Sequence, residues 1–408
     1  MGFDRARLRR RVRSWGGSAL RRLGWLPAGM PDGLGDDAAV LAASHEQRVV
    51  VYFAGTVQNL YQLRQWYAPL RALDAEHRVL VVCADSRAAR VVAREQPLPV
   101  VVVGRSATID ALAERSDVAL FCYVGHDVGN FNALRVPGAM HVFLSHGESD
   151  KRVSASNLVK AYDYAFVAGQ GAIDRFAGQL MNFDAPAHVV AVGRPQLDDV
   201  PTGPRERAPG SPVVVLYAPT WEGGQGSSAY SSVVSHGERL VQALVDDGRF
   251  RVVYRPHPRT GVSDARFATA DERIRAILAA AGPGHVVDTG ADPYRTFARA
   301  DVMVTDVSAI AFDWLATGRP LVVTVPPQGA DVAETRLLAA VPRLTAREIA
   351  HVGDVLGREV DQDPGHDERA RLVEYYFGAV GGATKRFVVE CDRIIRERDA
   401  LRGGRGRE

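Results

Sequence analysis

Lysine is nearly missing from this chain of 408 residues: Lys151, Lys160 and Lys385 are three of its 50 basic residues, the arginine bias of a GC-rich genome. Cysteine is as scarce. Cys83, Cys122 and Cys391 lie far apart and are odd in number, which argues against a disulfide framework or a zinc site and fits a reducing cytoplasm. No apolar run reaches the roughly 18 residues that span a bilayer, and the basic start is not followed by the hydrophobic region of a secretory signal. GxGxxG, Walker and HExxH sequences are missing too, which argues against hydride transfer, P-loop hydrolysis and zinc proteolysis. With no clustered acidic pair, neither a metal nor another cofactor is expected, and charge on a leaving nucleotide falls to protein donors and helix dipoles. A net charge of +2 makes no case for nucleic acid.

What is present is a globular composition, 46% hydrophobic and 24% charged, in a chain long enough for two domains. The charge is unevenly spread. Arg5, Arg7, Arg9, Arg10, Arg11, Arg13, Arg21 and Arg22 face a single acid, Asp4, and are punctuated by Leu8, Val12, Trp15, Leu20, Leu23 and Trp25. Such a segment suits an anionic membrane surface, where each arginine adds about 1 kcal/mol. The alternative is a loosely packed arm, because Gly16-Gly17 weakens a helix.

From residue 48 onward, β-rich apolar runs alternate with helical patterns. Strands are expected at 49–54, 79–84, 99–103, 118–124, 141–145, 165–168 and 189–192, with helices at 57–73, 87–94, 107–114 and 171–180 between them. After the linker-like PTGPRERAPGSP the alternation restarts. Strands are expected at 213–218, 252–255, 285–288, 302–305 and 321–325, and helices at 233–245, 265–280, 293–299 and 309–316. The expected fold class is α/β, with two Rossmann-like domains facing each other across a cleft. The expected organisation is an arm and linker at 1–43, a first domain at 44–200, a linker at 201–212, a second domain at 213–360 and a helical region at 361–408 broken at Gly381-Gly382.

The centre of this pattern is ARADVMVTDVSAIAFDWLATGRPLVVT, which reads as strand, turn, helix and strand. Asp306 or Ser308 caps the helix, Gly318 ends it, and the free N–H groups of such a helix start suit phosphate. Four other constellations sit at expected strand ends. Ser145-His146-Gly147-Glu148-Ser149-Asp150-Lys151 offers a histidine matched to proton transfer near neutral pH, a glycine that permits close approach and a cation for phosphate. Tyr217-Ala218-Pro219-Thr220-Trp221-Glu222 offers Thr220 and Trp221 to a phosphate or ring beside a glycine-rich loop. Arg255-Pro256-His257-Pro258 offers a planar arginine fork beside a backbone held by two prolines. Gly193-Arg194-Pro195-Gln196-Leu197-Asp198 reads as an interdomain turn. Each also has a purely structural reading as a cap, turn or packed side chain. A nucleoside diphosphate derivative on the second domain, facing His146 from the first, explains the set.

SHGESDK, YAPTWEG, RPHP and TDVSAIAFDW, in that order, resemble the CDP-glycerol glycerophosphotransferase family that builds teichoic acids. The resemblance runs over about residues 49–393. It implies a GT-B fold and transfer of glycerol phosphate from CDP-glycerol to a hydroxyl of a lipid-linked or polymer acceptor at the membrane, releasing CMP. It also implies a peripheral enzyme on the cytoplasmic face. By similarity, His146 is the general base and His257 stabilises the phosphate under attack. Arg255, Thr220, Thr305, Asp306, Ser308 and Ala309 hold the donor, and Gly147 and Lys151 contact the acceptor or phosphate. The chain departs from the family in having Ser145 where Trp is frequent, Ala309 where a second Ser follows Ser308, and Lys151 in place of several lysines. Those departures leave CDP-ribitol or another CDP-polyol open as donor. A glycosyltransferase using a UDP- or GDP-sugar, a UDP-sugar epimerase and a non-catalytic polymer-binding scaffold are the competing readings on the same fold.

Overall fold

The computed structural model describes residues 30–147, 156–223, 230–290, 292–325 and 335–405. The arginine-rich arm and Lys151 lie outside them, as do residues 224–229 of the glycine-rich loop.

Thirteen strands form two sheets among the described residues. The first contains β1 (Val49–Phe53), β2 (Val79–Cys83), β3 (Val100–Val102), β4 (Leu120–Tyr123), β5 (Met140–Phe143), β6 (Tyr164–Val167) and β7 (Val189–Ala191), in the order β3-β2-β1-β4-β5-β6-β7. The second contains β8 (Val213–Ala218), β9 (Phe250–Tyr254), β10 (Val286–Val287), β11 (Val302–Thr305), β12 (Leu321–Thr324) and β13 (Arg343–Leu344), in the order β10-β9-β8-β11-β12-β13. All registered pairs are parallel. This is the doubly wound order, whose direction reverses between β1 and β4 and again between β8 and β11. The α/β expectation holds. Strands covered on both faces explain why β1 and β2 are continuous apolar runs with every residue buried.

The second sheet shows how side-chain alternation divides its core. Leu216 and Ala218 face one layer with Phe312, Trp314 and Leu372, while Val215 and Tyr217 face the other with Leu240, Leu244 and Ile274. Gly248, at φ 74°, closes the helix Glu238–Asp247, and Gly318, at φ 70°, follows the helix Ala309–Leu315 as expected.

Several elements differ from their sequence reading. The single helix expected at 57–73 is broken into a short 3₁₀ turn and the helices Leu60–Arg64 and Tyr67–His77. Pro69 has no N–H for the carbonyl of Gln65, so the ladder cannot run through that point. The helix expected at 233–245 opens with a π turn, Val233–Gly237, in which Gly237 donates its N–H to the Ser232 carbonyl at 2.9 Å. Strand β13 and the helices Arg336–Ala340 and Val352–Asp361 were not anticipated.

By its internal contacts the chain divides into two compact units. One comprises Met1–His146, Leu158–Ala165 and Val388–Glu408; the other comprises Gly147–Asn157 and Phe166–Phe387. The end of the helix Ala383–Arg405 therefore belongs to the first unit. There Cys391, Ile394 and Ile395 are buried, Arg398 pairs with Asp117 at 2.6 Å, and Arg48 pairs with Asp399 at 2.7 Å.

Candidate active site

In a doubly wound sheet the ligand crevice lies beyond the carboxyl ends of the strands, where the order reverses. In the second unit that edge carries Thr220 after β8, His257 after β9, and Thr305, the last residue of β11, with Asp306 through Ser308 after it. Asp306 ties them together. Its carboxylate is fully buried and accepts the N–H of Thr220 at 2.7 Å, the N–H of Ser232 at 3.2 Å and the Thr324 hydroxyl. Burial pushes this carboxyl above its ordinary value, against the pull of those donors. Thr305 donates its hydroxyl to the Ala218 carbonyl at 2.6 Å and lies 3.2 Å from the Ser308 hydroxyl, which in turn donates to the Asp306 carbonyl. Ser308 is the N-cap of the helix Ala309–Leu315 in an extended conformation, and its side chain makes no cap bond. The sequence thus gathers Thr220, Thr305, Asp306, Ser308 and Ala309 at one edge, with Asp306 turned inward.

The loop after β9 is tied to the loop after β8. Glu222, buried, accepts the N–H groups of Gly261, Ser263 and Asp264 at 3.0, 2.7 and 3.3 Å. The His257 ring lies near parallel to Trp221, with centroids 6.3 Å apart, and Arg259 donates its backbone N–H to Nδ1 of His257 at 3.1 Å. That bond makes the neutral ring an Nε2–H donor. Arg255 does not present an open fork. Its Nη1 donates to Asp288 at 2.7 Å and its Nη2 to the Gly290 carbonyl at 2.7 Å. Burial raises the Asp288 carboxyl, but the Thr296 hydroxyl, the Gly290 N–H and Arg255 outweigh it and hold the group below its ordinary range.

Gly147 also belongs to this unit. A Cβ built on it would sit 2.9 Å from that of Ala309, so the glycine of the His-Gly pair abuts the start of the helix Ala309–Leu315. Beneath the helix, Arg194 and Asp313 form a buried ion pair at 2.9 Å, and the Tyr294 hydroxyl donates to the same carboxylate at 3.0 Å. The turn Gly193 to Asp198 is thus part of the support of this helix, with Asp198 accepting the N–H groups of Ala383 and Thr384.

In the first unit, His146 follows β5. Its Nδ1 lies 3.2 Å from the Val124 carbonyl and must donate to it, so the lone pair of the neutral ring is on Nε2, the form a general base needs. The Tyr61 ring meets His146 edge-on at 6.0 Å. Ser145 has φ 62°, a left-handed conformation unusual outside glycine, and Trp66 donates Nε1–H to its carbonyl at 2.7 Å. His126, stacked 4.0 Å from Phe143, was not anticipated as part of this edge. Burial pushes its imidazole down to about 4. The signal was available in Gly125-His126-Asp127 at the end of β4, a turn of the same kind as Ser145-His146-Gly147. Among the described residues, no group of three or more His, Cys, Asp or Glu is placed to hold a metal ion.

Two parallel sheets in Rossmann order, with their polar residues at the carboxyl edges, define the class: this is a GT-B fold. The wall teichoic acid polymerase TagF, in crystals soaked with CDPG, superposes with a TM-score of 0.57 at 14% identity, over 98% of this chain and 99% of that one. The S. aureus MnaA–UDP co-structure superposes at 0.56 and 11% identity, over 84% and 95%. A glycosyltransferase from Rickettsia africae superposes at 0.50 and 9%, over 87% and 99%. No curated protein sequence matches. Within that class, residues 140–331 match the model of the CDP-Glycerol:Poly(glycerophosphate) glycerophosphotransferase family. The resemblance carried by the motifs therefore holds over that stretch, just under half of the chain.

Proposed function

We propose that the chain transfers glycerol phosphate, or a related polyol phosphate, from a CDP-polyol to a hydroxyl of a lipid-linked or polymer acceptor at the cytoplasmic face of the membrane, releasing CMP. The observation that carries the reading is the tautomer of His146: with Nδ1–H committed to Val124, Nε2 is the basic nitrogen. It takes the proton of the acceptor hydroxyl as that oxygen bonds to the polyol-bearing phosphorus, and the bond from that phosphorus to the CMP oxygen breaks. Such a transfer relies on in-line placement and charge stabilisation more than on covalent chemistry. His257, an Nε2–H donor in its neutral form, stabilises the phosphate under attack. Thr220, Thr305, Ser308 and the N-terminus at Ala309 cradle the pyrophosphate, while Asp306 and Arg255 fix the loops that present it. Gly147 leaves room at Ala309, and Lys151 contacts acceptor or phosphate. The domain limits 44–200 and 213–360 assign acceptor and donor halves, and the arginine-rich arm holds the enzyme on anionic lipid.

The test is CMP release from CDP-glycerol by the purified chain, with and without membrane extract containing polymer primers. Acceptor-dependent release supports the reading. Turnover of a UDP- or GDP-sugar with no CMP released from any CDP-polyol overturns it in favour of glycosyl transfer. Binding to anionic vesicles that survives removal of residues 1–25 overturns the role of the arm.

A further inference from the structure

Two arginines flank His257, and the structure separates their duties. The side chain of Arg255 is 11% exposed, and its guanidinium is committed to Asp288 and the Gly290 carbonyl. The Arg259 guanidinium has no carboxylate or carbonyl partner among the described residues. Its carbon lies 4.0 Å from the centroid of Trp221, over the ring face, and its Nε is shielded from solvent yet bonded to none of them. The next side chain, Thr260, likewise holds a shielded hydroxyl without a partner. Stacking on indole offsets part of the desolvation of a half-buried cation but satisfies none of its N–H donors, and such donors are costly to leave unpaired.

The arginine is also held in place. Its own N–H bonds His257, Glu222 accepts the N–H groups of Gly261, Ser263 and Asp264 just beyond it, and Gly261, at φ 78°, has no space for a Cβ against Ala268. A rigid, planar cation unpaired among the described residues, sharing the Trp221 ring with His257 at the carboxyl edge that carries Thr220, is built for an anion with several oxygens.

We propose that Arg259, seated on Trp221, is the residue that binds the phosphate oxygens of the nucleotide, and that Arg255 is a structural residue of the same loop. This rests on the reading that the second unit takes a nucleoside diphosphate derivative. It makes the site select diphosphates over nucleosides through one guanidinium and one imidazole, with the tryptophan as platform.

The test is calorimetric titration of the full chain with CDP, UDP and cytidine, alongside thermal melting without ligand. Arg259→Gln is expected to weaken binding of whichever diphosphate the wild type prefers by tenfold or more, with cytidine affinity and melting temperature unchanged. Arg259→Lys, which keeps the charge and loses the fork, should fall between. Diphosphate affinity equal to wild type in Arg259→Gln overturns the assignment, as does an equal loss of cytidine affinity. If Arg259→Gln fails to fold, Arg259→Lys decides: unchanged diphosphate affinity overturns, and selective loss supports. A wild type that binds UDP but not CDP, with the same sensitivity at Arg259, upholds the arginine and overturns the CDP-polyol reading. A wild type that binds neither overturns both.

Discussion

Replacing Asp306 tests how the donor edge is assembled. Its carboxylate is the common acceptor for Thr220, Ser232 and Thr324, from three separate segments. Asp306→Ala leaves two buried N–H groups and one hydroxyl without that acceptor. Each orphaned N–H costs about 1–3 kcal/mol. The hydroxyl can rotate, and removing a buried charge returns part of the loss, so about 3 kcal/mol is expected in total. Asp306→Asn is different. Its amide oxygen can take both N–H groups while its NH₂ donates to the Thr324 hydroxyl, so every group keeps a partner and the loss is about 1 kcal/mol or less. Amide hydrogen exchange over peptides containing Thr220 and Ser232 is the direct readout. Exchange should accelerate on the order of a hundredfold in the alanine variant and less than tenfold in the asparagine variant. Equal acceleration in the two, or none in either, would refute the view that Asp306 acts by collecting donors. So would an asparagine variant with normal exchange that has lost nucleotide affinity, because that pattern belongs to a carboxylate touching the ligand.

Other outcomes follow from the same geometry. His146→Ala should abolish transfer yet leave CMP affinity within a few-fold of wild type; a matching loss of CMP affinity, measured by titration, would contradict a base acting on the acceptor. Glu222→Gln places an NH₂ against at least one of three N–H donors, so exchange across residues 259–264 should rise and diphosphate affinity fall about tenfold, with melting little changed; unaltered exchange there would count against it. His236 is 2% exposed, and burial pushes its imidazole down to about 4, below the 6.5 or so of an unfolded chain. The unfolded chain therefore takes the proton first: this group's stability is full above about pH 6.5 and is lost as pH falls toward 4, by up to about 1.4 kcal/mol per pH unit. In urea titrations across that window, His236→Phe should flatten the acid limb, and an unchanged limb would speak against the assignment.

Most of the parallel architecture was legible because buried parallel strands announce themselves as apolar β-branched runs: Val213–Ala218 and Val302–Thr305 were placed to the residue. Gly318 and the pair Gly381-Gly382 marked helix limits for the same local reason, a left-handed backbone that favours glycine. The helix across residues 57–73 misled because apolar periodicity runs on through Gln65 and Trp66, while the break comes from one missing N–H at Pro69. At the site, types and positions could be read, but partnership could not. Arg255 and Arg259 are four apart and chemically identical, and only Asp288, distant in sequence, separates them. The inward turn of Asp306 likewise depends on Thr220, Ser232 and Thr324, which no local pattern links to it.

The division of the chain has a consequence for synthesis. The ribosome delivers every described strand of the first sheet before residue 192, yet the residues from Val388 onward that complete the first unit are made only after all of the second. Until then the surface later covered by Cys391, Ile394 and Ile395 has no cover, and Arg48 and Asp117 wait for Asp399 and Arg398. The second unit, whose residues end at Phe387, can therefore mature first, so that folding runs against the order of translation. A nonsense change at or soon after Val388 would leave the thirteen described strands encoded while removing the lock of the first unit, a lesion expected to surface as aggregation or turnover of chains that keep both sheets.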